Sequence, residues 1–209
     1  MNRISAASSK PTQDVLTVQR RGRACAADAL ELGRRRFLAG ERIEMQALAA
    51  ELGVNRATLY RWWGREEQLM GEVLWSFAQN TLLRARARHA AEPDRLQALV
   101  LILQDYMHAV HHSSALHQFI AADPESALRI LASKHSPVQS RTVEAIEALL
   151  QAETSIHQRL PTDLAALAYA IVRIGESFAY TDVIANGSPD PVMAMRLIKA
   201  ILLAPWDEV

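Results

Sequence analysis

The chain has 209 residues, half of them hydrophobic, which is enough to bury a core in one large domain or two unequal ones. Its 23 basic and 23 acidic side chains cancel, yet residues 1–65 carry 12 Lys+Arg against 6 Asp+Glu, and residues 66–209 carry 11 against 17. A basic head on an acidic body points to a polyanion that meets only the head. The single cysteine, Cys25, excludes an internal disulfide, and the longest apolar run, Leu164–Val172, is far short of the ~18 residues a bilayer helix needs.

These features predict a soluble cytoplasmic protein. Residues 1–18 begin MNRISAASSKPTQDV, lack an apolar signal core, and read as a flexible arm. The first helix is predicted from Gly22 to about Ala39, ending near Gly40, with Cys25 inside it as a buried, inert thiol. Arg20, Arg21 and Arg23 precede or open that helix and are expected to reach a nucleic-acid backbone or minor groove. Two short helices follow, Met45–Leu52 and Asn55–Trp63, separated by Gly53-Val54. A long one runs from about Arg65 to Ala90 and stops before Pro93. Further helices are predicted over roughly 94–112, 115–122, 125–133, 138–157, 162–185 and 190–203. Pro124 suits a first helical turn, and Thr162-Asp163 suits an N-cap. No run alternates as a strand would, so the fold class is all-α.

The pair Met45–Leu52 and Asn55–Trp63 has the residue types of a helix-turn-helix at the right spacing. Leu48, Leu52, Val54, Leu59 and Trp62 supply an apolar interior, Ala49 permits close approach, and Gly53 can adopt the left-handed turn. Asn55 can cap the second helix. Arg56, Ala57, Thr58, Tyr60 and Arg61 are left pointing outward. Arg can bond a guanine edge twice, Ala or a Thr methyl can touch a thymine methyl, and hydroxyls can reach phosphates. The alternative is an ordinary helical corner with a solvated face.

The stretch ALAAELGVNRATLYRWWGREEQL, residues 47–69, resembles the TetR/AcrR family of transcriptional regulators. Leu48-Ala49, the turn Gly53-Val54 and the centre Thr58-Leu59-Tyr60 match that family's signature, and Trp63 falls where it has a buried Phe. The resemblance spans about residues 23–75. It implies an N-terminal three-helix head with a helix-turn-helix and a C-terminal helical domain for ligand binding and dimerisation. The implied boundaries are an arm at 1–18, a DNA-binding domain at 19–65 and a ligand-binding and dimerisation domain at 66–209. It also implies DNA contacts from Gln46, Asn55, Arg56, Ala57, Thr58, Tyr60, Arg61 and Arg65.

The sequence departs from the pattern at several places. Asn55 replaces Ser, Ala57 replaces Gly, Glu44 replaces the Thr that opens the second helix, and Glu66 replaces the phosphate-binding Lys. Trp62 stays open between core and DNA backbone. Further along, IVRIGESFAYTDVIANGSPDP (Ile171–Pro191) resembles the QsdR-type branch, which implies a small hydrophobic or amphipathic effector, such as a lactone or fatty-acyl compound.

Tyr169, Arg173, Glu176 and Tyr180 recur at helical spacing as one polar stripe, fitting either a ligand cavity or a subunit interface. Gly175 and Ala179, four apart, favour the interface. The ligand candidates are Tyr106, His111, Phe119, Arg173, Glu176 and Tyr180, while Met107, Phe119 and Phe178 read as core side chains on helices that can supply both core and ligand contacts. Asp105, His108 and His112 share a helical face that fits either a divalent ion or partly exposed packed histidines, with His111 and His117 nearby. The expected reading has no metal and no cofactor.

No phosphate-binding glycine loop, GxSxG turn or zinc spacing is present, so an enzyme is not expected. The expected function is a ligand-responsive repressor that binds a pseudo-palindromic double-stranded operator as a homodimer and is released by its effector. The long helix from Arg65 would be the lever between the two parts. The alternative is a helical small-molecule or protein-binding module without specific DNA binding.

Overall fold

The computed structural model describes residues 24–133, 137–152, 160, 163–180, 187–204 and 206. Among them are ten helices and no strand: α1 (Ala26–Leu38), α2 (Met45–Leu52), α3 (Arg56–Trp63), α4 (Glu66–Arg88), α5 (Arg95–His111), α6 (Ser114–Ala122), α7 (Pro124–Ala132), α8 (Pro137–Ala152), α9 (Leu164–Ala179) and α10 (Pro191–Leu203). The fold is all-α. None of these helices is long and apolar enough to cross a membrane.

Most helix starts are set by short acceptor side chains that satisfy the open N–H groups of the first turn. Asp94, Ser113, Asp123, Asp163 and Asp190 each accept a backbone N–H at the start of α5, α6, α7, α9 and α10. Pro124 and Pro191 occupy first-turn positions, where a missing N–H costs nothing. The expected N-cap at Thr162-Asp163 is thus Asp163; Thr162 lies outside the described residues.

The first helix corrects the sequence reading. It starts at Ala26 rather than Gly22, because the extended Cys25 is its N-cap and donates its N–H to Asp28 Oδ2 at 2.7 Å. That bond holds the Asp28 carboxyl below its ordinary value. Cys25 is exposed, not buried. The arm at 1–18, the residues Arg20, Arg21 and Arg23, the last turn expected for the helix at 138–157 and the continuation to residue 185 lie outside the described residues.

Two hydrophobic clusters organise the packing. One joins Ala29, Leu32, Leu48 and Leu59 of the first three helices to Leu69, Met70 and Val73 of α4, and continues through α6 and α7 to Tyr180. The other joins α5, α8, α9 and α10 around Leu99, Ile146, Leu150 and Ile198. Helix α4 packs on α1 and α3 at one end and on α5, α7 and α8 along its length. It therefore ties the helix-turn-helix to the rest of the chain.

Candidate nucleic-acid interface and interior cavity

Helix α2 ends at Gly53, whose φ of 64° and ψ of 32° are left-handed. Val54 N–H then reaches Ala49 O at 3.0 Å and Gly53 N–H reaches Ala50 O at 3.2 Å, closing the last carbonyls of α2. Two residues later Asn55 Oδ1 accepts Ala57 N–H at 2.9 Å and starts α3. Leu59 is fully buried between α2, α3 and α4, while Val54, Trp62 and Trp63 pack on the same cluster half-buried. Trp63 Nε1 donates to Ala26 O at 3.2 Å, fixing the end of α3 to the start of α1. Trp62 is half-buried against that core and also borders the groove between α1 and α3.

The opposite face of α3 is bare. Gln46, Asn55, Arg56, Ala57, Tyr60, Arg61 and Arg65 are exposed and Thr58 is half-buried. Arg56 Nη2 donates to Tyr60 Oη at 2.9 Å, and its guanidinium lies 5.2 Å from the Tyr60 ring centroid. One turn of helix thus carries a pre-ordered cation with spare donors. Arg65 caps α4, and its N–H donates to Gln68 Oε1 at 2.8 Å. Glu66 and Glu67 occupy the first turn of α4, where they suit the helix dipole but repel a phosphate. Glu44 precedes α2 and makes no side-chain cap.

Deeper in the chain is a cavity of about 60 Å³ between α5, α8, α9 and α10. Its wall is apolar except for Tyr106, Thr142, Glu176 and Tyr180. Gln139 Nε2 donates to both Glu176 oxygens at 3.3 and 3.0 Å, and Arg173 Nη1 donates to Oε2 at 2.7 Å. Burial nevertheless raises the Glu176 carboxyl above its ordinary value, outweighing these bonds. Burial likewise pushes Tyr106 up to about 12 and Tyr180 higher still, so both hydroxyls stay neutral donors. The Tyr106 hydroxyl bonds Thr142.

The polar stripe of α9 therefore divides. Glu176 and Tyr180 line the cavity, Tyr169 stands 54 % exposed on the outer surface, and Arg173 reaches Glu176 from that surface. Gly175 faces inward: a Cβ there would lie 3.1 Å from Met107 Sδ, so its smallness serves the approach of α9 to α5 rather than an outer interface. Ala179 also lines the cavity. Met107, expected chiefly as core, is both core and cavity wall. His111 and Phe119 do not line this cavity. Phe119 packs edge-on to Phe37 at 6.1 Å.

His111 belongs to a ring cluster with His108, His112 and His117, and burial together with these neighbours lowers its pKa. Asp105 is turned away from that cluster by His89 at 3.0 Å and by Arg88; burial pushes its carboxyl up, but these bonds outweigh burial and hold it down. Among the described residues, no group of three or more His, Cys, Asp or Glu side chains is arranged to hold a metal. Sequence reading missed Gln139 and Thr142. Both are buried polar residues three apart on the otherwise apolar inner face of α8, a pattern that marks an interior polar site.

A helix-turn-helix with a bare basic face, joined to a helical body with a polar-lined cavity, defines the class. The profile of the tetracyclin repressor-like C-terminal domain matches residues 96–203, just over half the chain. The chain belongs to the TetR family of transcriptional regulators. The chain is similar to the R. erythropolis transcriptional repressor QsdR from the TetR family, with 26% identity, a TM-score of 0.76, and coverage of 85% of this chain and 93% of that one. Two other similar structures are a TetR-like regulator from a Rhodococcus species (19% identity, TM-score 0.42, covering 88% and 96%) and the TetR family regulator PfmR from Thermus thermophilus (21%, 0.38, 86% and 99%). No curated protein matches the chain.

Proposed function

We propose that the chain is a homodimeric repressor, released from a pseudo-palindromic operator by a small hydrophobic or amphipathic effector. The observation that carries this is the α3 face, where Arg56, Tyr60 and Arg61 stand exposed on a helix whose opposite side is locked by Leu59 and Trp63. The likeness to a structure described as a transcriptional repressor supports the sign of regulation. In this reading α3 enters the major groove, Arg56, Ala57 and Thr58 read base edges, and Gln46, Asn55, Tyr60, Arg61 and Arg65 contact the backbone. Half-sites lie about one helical turn apart or a multiple of it.

Residues 19–65 form the DNA-binding part and residues 66–209 the part that dimerises and binds effector. Tyr106, Glu176 and Tyr180 hold the effector. Exposed apolar side chains on α9 and α10, namely Tyr169, Val192, Met193 and Leu197, support pairing of two copies through these helices. The effector acts by binding more tightly to the conformer that fits DNA poorly.

A gel shift with salt titration on fragments selected from randomised DNA tests the reading. Specific binding should weaken steeply as salt rises. Binding that is absent at low salt, or indifferent to salt, would leave only the helical ligand-binding module.

A further inference from the structure

Next to the first cavity lies a second, of about 100 Å³, bounded by Phe37 of α1, by Leu74, Phe77 and Thr81 of α4, and by the α5–α6 turn. Tyr106, Val110, Leu131, Val138 and Tyr180 line both. Two of these shared residues are tyrosines at the seam of the two hydrophobic clusters. Tyr180 belongs to the cluster of the first three helices, and Tyr106 packs on the other. Each cavity is smaller than the ~150 Å³ that accepts a benzene ring, and together they reach that size.

We propose that the two cavities are one effector site, partitioned by Tyr106 and Tyr180, for an uncharged straight-chain amphiphile whose hydroxyl or amide donor meets Glu176 and whose tail, once the tyrosines swing aside, reaches Phe37 and Phe77. The inference rests on the ligand-responsive reading above and adds the ligand's charge, shape and length. Polarity concentrates at the Glu176 end, where a carboxylate ligand would meet a buried carboxyl whose ion-pair partner Arg173 is already engaged. The far end is mainly apolar, with Phe37 at 5.4 Å from Phe77 and the Arg34 guanidinium 4.8 Å above the Phe77 ring.

The geometry makes chain length the signal. A short ligand enters by local expansion of the first cavity and leaves Phe37 in place. A long one wedges α1 away from α4, and α3 follows because Trp63 is bonded to Ala26 of α1.

The test uses the full chain with straight-chain primary alcohols from butanol to decanol, read by melting temperature and by amide hydrogen exchange in α1–α3. Butanol should raise the melting temperature without altering exchange in those helices. Decanol should raise it and speed their exchange by about tenfold. Ala78→Leu fills the second cavity from α4, and should abolish the decanol effect on exchange while butanol still binds. Ala109→Leu fills it from α5 and serves if the first variant does not fold; the wild-type length series stands without either.

Octanoate should bind at least about tenfold more weakly than octanol, and Glu176→Gln should narrow that gap. No alcohol binding, equal exchange responses to butanol and decanol, a decanol response that survives the filling variants, or octanoate binding as well as octanol would each overturn the proposal. The ligand-free gel shift is independent of these outcomes, so failure here and failure of the DNA-binding reading are separable.

Discussion

Arg56 meets solvent already ordered, held by Tyr60 through a 2.9 Å hydrogen bond and by the ring beneath it. In the proposed complex, part of the entropy cost of presenting a long side chain to a base edge is thereby met before DNA arrives. Arg56→Ala should cost roughly 1–3 kcal/mol of specific binding and relax the preference at one base position, measured by titrating single-position operator variants. Tyr60→Phe keeps the ring and removes the acceptor, so its loss should be smaller. Equal losses would mean that the Tyr60 hydroxyl serves binding through its own DNA-backbone contact as much as Arg56 does, rather than mainly by ordering Arg56.

At Glu176, burial raises the folded-state pKa, so the native chain retains a proton at a pH where the unfolded chain has released it. Ionisation of this group therefore works increasingly against folding as pH rises above its ordinary carboxylate range. Glu176→Gln should gain stability relative to the wild type between about pH 4 and pH 7, read by urea unfolding at both ends. A difference that does not change with pH would mean that Gln139 and Arg173 compensate the charge in full.

At the scale of elements, α3, the proposed reading helix, is held by its two ends. Gly53 sets the turn before it, and Trp63 clamps its last turn to α1. Trp63→Phe preserves most of the ring and removes the bond to Ala26, so it should cost about 1 kcal/mol of stability, measured by denaturant unfolding. It should also weaken DNA binding although Trp63 is placed away from the reading face. Gly53→Ala should cost about 1–2 kcal/mol because of its left-handed backbone, whereas Gly53→Asn should cost less.

These elements were the legible part of the sequence, since turn glycine, cap and apolar spacing are local signals. The start of α1 was not legible, because it depends on the pairing of Cys25 N–H with Asp28 rather than on hydropathy. Gly175 misled for a related reason: spacing shows that two small residues share a helical face, not which neighbour that face meets. The cavity was legible only from α5 and α9. Its remaining polar lining, Thr142, comes from α8, where isolated polar residues on an apolar face do not say which neighbour they meet, and His111 and Phe119, expected beside Tyr106 and Glu176, are not part of its wall.

For the whole molecule, α9 and α10 leave an apolar face whose Tyr169 and Leu197 are 54 % and 41 % exposed. Leu197→Glu places a charge where two copies are proposed to meet and should yield monomers in sedimentation experiments. Operator affinity should then fall by about a hundredfold or more, because two half-sites are no longer engaged by one particle. A dimer of unchanged affinity would place the subunit contact elsewhere.

The cluster that runs unbroken from Leu48 and Leu59 through Leu69, Met70 and Val73 to Ile120 and Ile130 bears on how portable the DNA reader is. A chimera spliced at residue 65 would strip Leu59 of its α4 neighbours and expose the lower side of the head to solvent. Grafting this reader onto a foreign sensor would need α4 carried across whole, together with a surface in the new host that replaces α6 and α7. In the proposed reading, specificity is therefore inherited with its mounting, and swapping operators between relatives is better done by exchanging side chains on α3 than by exchanging heads.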